Sequence, residues 1–197
     1  MESKSVKAAV LLSGSGRTLE NLLAKHADGE LAVEIAVVVS SRPEVRGVEV
    51  ARAHGIPCGV FRRRDYSSSC DHNTAINAWL EPHAPRIIIL AGYLCFYIQA
   101  DWFTGPVVNI HPALLPSYGG KGFYGDRVHE AVLAAGDSQT GCTVHLVDDR
   151  YDTGRILGQQ KVPVLPGDDV ATLAARVFAA ECELYPRVLS GLAADLI

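Results

Sequence analysis

Four places in the 197-residue sequence carry side chains whose types and spacing suit chemistry. The first is Ser13-Gly14-Ser15-Gly16-Arg17-Thr18, directly after an apolar run and directly before a helical pattern. A glycine turn there leaves backbone N–H groups and the positive end of a helix aimed at one point, which is how proteins hold phosphate. It is not a dinucleotide fingerprint, because a third glycine would fall at Leu19 and the second strand ends in Ser40-Ser41-Arg42 with no acid for a ribose. No Gly-Lys-Ser/Thr follows, which excludes a Walker loop. The expectation is a monophosphate site centred on Gly16, Arg17 and Thr18, with a plain tight turn as the alternative.

The second place is Val107-Val108-Asn109-Ile110-His111-Pro112. Side chains alternate along a strand, so Asn109 and His111 share one face while Val108 and Ile110 pack on the other. A polar pair thus sits at a strand's C-terminal end, where α/β sheets place their chemistry. For a lone histidine a hydrogen-bonded ring at a strand end is the plainer reading, and the asparagine on the same face brings the functional reading level with it. The third, Asp148-Asp149-Arg150-Tyr151-Asp152-Thr153-Gly154, reads as a turn, and nothing in its composition explains why the last acid should matter. The fourth is Glu181, which falls inside a stripe formed by Val170, Leu173, Val177, Leu184 and Val188. A carboxylate on a core-facing stripe needs a partner, unless it is only partly buried.

The elements that position these groups follow from periodicity. Strands are expected at Ala8–Leu12, Val33–Val39, Ile56–Phe61, Ile87–Ala91, Val107–Ile110, Cys142–Val147 and Ile156–Val164. Helices are expected at Thr18–His26, Val45–His54, Asp71–His83, Asp126–Ala135 and Asp168–Leu189. Such βαβ alternation predicts an α/β fold: a mostly parallel sheet with helices on both faces. The last two strands, joined by the turn at Asp148 to Gly154, are expected to be antiparallel. No linker, repeat or compositional break divides the chain, so one domain over residues 1–197 is the expectation.

Composition narrows the class further. With 18 basic and 22 acidic side chains the net charge is -4, which removes the basic footprint of a non-specific nucleic-acid binder. Acidic ligands must then be held by local groups. The stretch Met1 to Lys7 is polar and no apolar run approaches the roughly 18 residues that span a bilayer, so the chain reads as soluble and unsecreted. The five cysteines form no CxxC pair, so neither a disulfide framework nor a thiolate zinc site is indicated.

Taken together, LLSGSGRTLENLL at residues 11–23, LAGYL at 90–94, NIHPALLPS at 109–117, GCTVHLVD at 141–148 and DTG at 152–154 resemble the phosphoribosylglycinamide formyltransferases, folate-dependent enzymes of purine biosynthesis. The resemblance runs in order along nearly the whole chain. It implies a single Rossmann-like domain that moves a formyl group from 10-formyltetrahydrofolate to the amine of glycinamide ribonucleotide. It assigns the catalytic roles to Asn109, His111 and Asp152. It places the ribonucleotide on Gly14, Ser15, Gly16, Arg17, Thr18 and Glu181. The folate would lie against Leu94, Cys95, Phe96, Tyr97, Asn109 and Val147, with backbone from Val147 to Asp152. No metal or tightly bound cofactor is implied, and the folate is a co-substrate. The resemblance further implies a cytoplasmic monomer or homodimer that engages neither nucleic acid nor membrane.

The side chains suit that reaction. Amine attack builds negative charge on the formyl oxygen, which the Asn109 amide and a protonated His111 can meet. Asp152 is expected to raise the His111 pKa toward the working pH. A β-branched residue at Gly16 is expected to weaken ribonucleotide binding more than folate binding. The chain departs from the family where many members carry a folate-contacting arginine: Ser67 stands there, with Arg62, Arg63 and Arg64 nearby. Arg155 also stands where proline is frequent. Methionyl-tRNA formyltransferase shares the trio but carries a further C-terminal domain, and chain length and acidic charge oppose it; formyltetrahydrofolate deformylase shares the trio but carries an extra N-terminal domain, and the expected first strand within ten residues of Met1 opposes it. A non-catalytic nucleotide-binding module is the alternative of another class, opposed by the intact trio.

Overall fold

The structure, a computed structural model, describes residues 5–196; the first four residues of the polar N-terminal stretch and residue 197 lie outside the described residues. Seven strands, β1 (Val6–Leu12), β2 (Val33–Ser40), β3 (Cys58–Val60), β4 (Ile87–Leu90), β5 (Val107–His111), β6 (Gln139–Leu146) and β7 (Ile156–Pro163), hydrogen bond in the order β3-β2-β1-β4-β5-β6-β7. Five helices accompany them: α1 (Arg17–Ala27), α2 (Arg46–Ala53), α3 (Ser69–Leu80), α4 (Asp126–Ala135) and α5 (Val170–Ala194). β1 runs parallel to β2 and β4, β2 parallel to β3, and β6 antiparallel to β7, so the expected mixed, mostly parallel sheet is present. Contacts group the chain into two compact units: the chain up to Val108 with the stretch from Leu189 onward, and Asn109–Val188.

In the first unit, β1 and β4 are apolar at every position from Ala8 to Leu12 and from Ile87 to Leu90, and these residues are buried. Continuous apolar runs of this kind are required of parallel strands covered on both faces. The helical turn expected through His83 tightens after Leu80 into a short 3-10 turn at Glu81–His83. Pro82 has no N–H for the α-helical bond, which accounts for the change. Asn73 and Asn77, one turn apart on α3, are buried and tie down the loop after β4. Asn73 donates to the Phe96 carbonyl and accepts from the Ile98 N–H, and Asn77 donates to the Ile98 carbonyl and accepts from the Tyr97 hydroxyl.

In the second unit, the connection between β6 and β7 is closed by Asp148, whose carboxylate accepts from the Arg150 N–H at 3.0 Å and the Thr153 hydroxyl at 2.9 Å. Gly154 is required there, since a Cβ would lie 1.8 Å from the Leu146 carbonyl oxygen. The apolar stripe of α5 is buried as expected at Leu173, Val177 and Leu184. The helix continues past the expected end at Leu189 to Ala194, because Leu189 and Ala193 extend the buried stripe.

Candidate active site

β5 carries Asn109 and His111 on one face, as alternation predicts, and the second unit supplies what surrounds them. His111 Nδ1 lies 3.6 Å from Asp152 Oδ2, and its Nε2 lies 2.7 Å from the Tyr118 carbonyl oxygen. The other carboxylate oxygen of Asp152 lies 3.5 Å from His145 Nε2, which is itself 3.1 Å from the Asn109 amide nitrogen. Asp152 Oδ2 also accepts from the Gly120 N–H at 2.9 Å. Asp152 has a left-handed backbone, with φ at 58°, which an aspartate tolerates better than most residues. The trio assigned by resemblance is thus brought together, and Asp152 rather than the turn-forming Asp148 faces the histidine.

The partners fix the tautomers. A carbonyl oxygen only accepts, so His111 must carry its proton on Nε2, which leaves the Nδ1 lone pair toward Asp152 in the neutral ring. His145 Nδ1 lies 2.9 Å from the Leu146 carbonyl oxygen, so its Nε2 accepts from the Asn109 amide. One N–H of that amide is thereby committed, and the other remains available to a substrate oxygen.

Burial pushes the His111 pKa down; the Asp152 charge and the Tyr118 carbonyl push it up, and the His145 charge lowers it, leaving it below the ordinary histidine value. This corrects the expectation of a His111 held protonated near neutral pH. Asp152 acts in the expected direction, but desolvation of a nearly buried ring outweighs it. For Asp152 itself burial works upward, and donation from His145 Nε2 in the protonated ring, the His111 charge and the Gly120 N–H overcome it, holding the carboxyl below its usual range. His129 on α4, also buried, is lowered by burial and by His111 against the pull of Asp126.

A stability prediction follows from the two lowered imidazoles. Their folded-state pKa values lie below the unfolded value of about 6.5, so the unfolded chain binds protons more readily as pH falls. Their contribution is present above that value and lost as pH falls through the lowered ones. The melting temperature is expected to drop between pH 7.5 and pH 5.5, and His129→Asn to flatten the decline. An equally steep decline in the variant would remove His129 from this account.

In the first unit, Gly16 caps the start of α1 with a left-handed backbone, φ at 73°, and with no side-chain cap hydrogen bond. A Cβ on Gly16 would stand 2.5 Å from the Gly47 Cα. The selective effect expected of a β-branched residue there is therefore withdrawn: it would force α1 and α2 apart as well as crowd the donors. Leu94 is exposed, Cys95 and Phe96 are half-buried, and Tyr97 is buried with its hydroxyl on Asn77. Ser67 donates to Asp71, Arg62 pairs with Asp65, and Arg63 donates to Ser69 and to the Tyr66 carbonyl. Arg64 is exposed and has no partner among the described residues.

In the second unit, Glu181 is half-buried, and its charge reaches the Cys142 thiol on β6, which burial first and this carboxylate next raise to about 12. Val147 is half-buried. Among the described residues no three His, Cys, Asp or Glu side chains group as a metal site.

The sequence profile of the formyl transferase family matches residues 6–189. The crystal structure of phosphoribosylglycinamide formyltransferase from Brucella melitensis is 40% identical and superposes with a TM-score of 0.85 over 97% of each chain. The chain belongs to the phosphoribosylglycinamide formyltransferase family. The chloroplastic phosphoribosylglycinamide formyltransferase of Vigna unguiculata is 39% identical over 97% of this chain, which spans 62% of that relative's length. The human trifunctional purine biosynthetic protein adenosine-3 is 36% identical over the whole chain, which spans 19% of it.

Three groups of this formyltransferase-family site escaped the sequence reading. His145 lies two residues from Thr143 on β6, the same polar alternation that singled out Asn109 and His111, so the signal was present. The register shift of the β6–β7 pairing between Val144 and His145 sits at this residue, where a bulge can re-aim a side chain. The Tyr118 carbonyl and the Gly120 N–H act through the main chain, which residue types do not reveal.

Proposed function

We propose that this family member transfers the formyl group of 10-formyltetrahydrofolate to the amine of glycinamide ribonucleotide in de novo purine synthesis, acting as one catalytic domain. The observation that carries this reading is the His111 ring, with Nε2–H committed to a carbonyl and Nδ1 free beside Asp152. The amine attacks the formyl carbon, and the uncommitted N–H of Asn109 donates to the oxygen as it becomes negative, an effect worth on the order of 100-fold or more. His111 Nδ1 takes the proton that the attacking nitrogen sheds. The imidazolium so formed faces the Asp152 carboxylate, which stabilises it. That proton then passes to the folate nitrogen as its bond to the formyl carbon breaks, which leaves an uncharged formamide, an uncharged folate amine and the starting form of His111.

The ribonucleotide phosphate is assigned to the Gly14–Thr18 turn, with the backbone N–H groups at the start of α1 as donors, and Glu181 to the neutral part of the same substrate. Leu94, Cys95, Phe96, Tyr97, Asn109 and Val147 are assigned to the folate. Arg64 is the arginine left to meet a folate carboxylate, since Arg62 and Arg63 are engaged. Both substrates are small molecules, so the reading needs neither nucleic acid nor membrane. It places the reaction in the cytoplasm, in a monomer or homodimer. No helix among the described residues is long and apolar enough to cross a membrane.

Glu181→Gln is expected to raise the Michaelis constant for the ribonucleotide roughly ten-fold, about 1.4 kcal/mol for one charge-assisted hydrogen bond, with little effect on apo melting. A lowered melting temperature with an unaltered constant would make Glu181 structural. The function itself is tested by following the absorbance of 10-formyltetrahydrofolate with purified protein. Loss of the formyl group is expected only when glycinamide ribonucleotide is present. Loss without it would indicate a hydrolase, and no loss in either case would indicate a binding module.

A further inference from the structure

Tyr118 is a non-glycine residue with a left-handed backbone, φ at 55°, a conformation unfavourable for a tyrosine. Such a residue persists only where its surroundings hold it. Three contacts do so here. Its hydroxyl donates to Asp137 Oδ2 at 2.7 Å, its ring stands edge-on to Phe123 at 6.2 Å, and its carbonyl accepts from His111 Nε2 at 2.7 Å. The first two are surface contacts that fix the residue; the third reaches the histidine assigned to proton transfer. Gly120, two residues on, donates to Asp152, so this short stretch touches both members of the His111–Asp152 pair.

The consequence concerns which ring nitrogen can react. Without an acceptor at Nε2, a neutral imidazole facing a carboxylate prefers to place its proton on Nδ1 and donate to that carboxylate. The nitrogen beside Asp152 would then hold a proton and could accept none. The Tyr118 carbonyl opposes this by accepting from Nε2.

We propose that Tyr118 is a positioning residue: its phenol, anchored on Asp137, and its ring, set against Phe123, hold a left-handed backbone whose carbonyl keeps His111 in the Nε2–H form, with Nδ1 open to take the substrate proton. The inference rests on the transfer reading above for its effect on rate, but not for its effect on the ring. Tyr118 meets neither substrate in this account, so its removal should lower kcat and leave the Michaelis constants alone.

The test combines 15N NMR of the histidine rings with steady-state kinetics, on the wild type and on Tyr118→Ala and Tyr118→Gly. The wild type is expected to show His111 as the Nε2–H tautomer above its titration. Tyr118→Ala, which loses both anchors but keeps the left-handed cost, is expected to show a mixed or Nδ1–H ring. Its kcat should fall about ten-fold, with both Michaelis constants within about two-fold. Tyr118→Gly accepts the left-handed conformation without cost and is expected to recover part of both signals. If Tyr118→Ala does not fold, Asp137→Ala removes only the exposed acceptor of the phenol and is expected to shift the tautomer in the same direction with a two- to three-fold lower kcat, about what one exposed hydrogen bond holds. An Nε2–H ring and a wild-type kcat in the alanine variant overturn the proposal. A wild type with the Nε2–H ring but no formyl transfer would instead sink the functional reading and leave the positioning role standing.

Discussion

His111→Ala is expected to lower kcat by at least about 100-fold, because it removes the group that takes the amine proton and returns it to the folate nitrogen. Proton transfer alone is worth on the order of 100- to 10,000-fold. Asp152 cannot substitute, since its carboxyl is held below the usual range and its oxygens face His111, His145 and the Gly120 N–H. The fold should survive, for the lost side chain is a buried polar ring with one hydrogen bond to a loop carbonyl. Kinetics beside a melting curve separates the two effects. A folded variant that kept more than about a tenth of wild-type kcat would exclude His111 as the proton carrier.

Asp152→Asn has the second-largest expected effect, a loss in kcat on the order of 100-fold. The substitution preserves shape, and asparagine accepts a left-handed backbone as readily as aspartate, so the φ of 58° is kept. What is lost is the charge that faces the imidazolium. The Asp152 charge raises a His111 pKa that burial has already lowered, so its removal should lower that pKa further. NMR titration of the His111 ring in both proteins reads the change directly. An unchanged or higher value in the variant would contradict the assigned role, whatever happened to the rate.

The elements that position the site were legible because they rest on strong periodicity. The uninterrupted run Ile87-Ile88-Ile89-Leu90 can only be a buried strand among helices, and Asn109 and His111 stand out by their alternation with Val108 and Ile110. Asp152 was visible only through the family resemblance. In composition the run from Asp148 to Gly154 is a turn, and Asp148 does form it, which hides the second acid whose backbone turns it inward. The protonation of His111 could not be read either, since the sequence shows the aspartate that raises its pKa but not the burial that lowers it more. Gly16 shows the same limit, because its need for hydrogen in place of a side chain comes from Gly47, thirty-one positions along the chain.

The fate of the formyl carbon tests the central claim most directly. With 13C in the formyl group of 10-formyltetrahydrofolate, glycinamide ribonucleotide and the wild-type protein, 13C NMR should show the label arriving on the glycinamide nitrogen as a new formamide signal. Asp152→Asn should slow its appearance on the order of 100-fold without diverting it. Label collecting as free formate while the ribonucleotide stayed unmodified would contradict transfer to the amine.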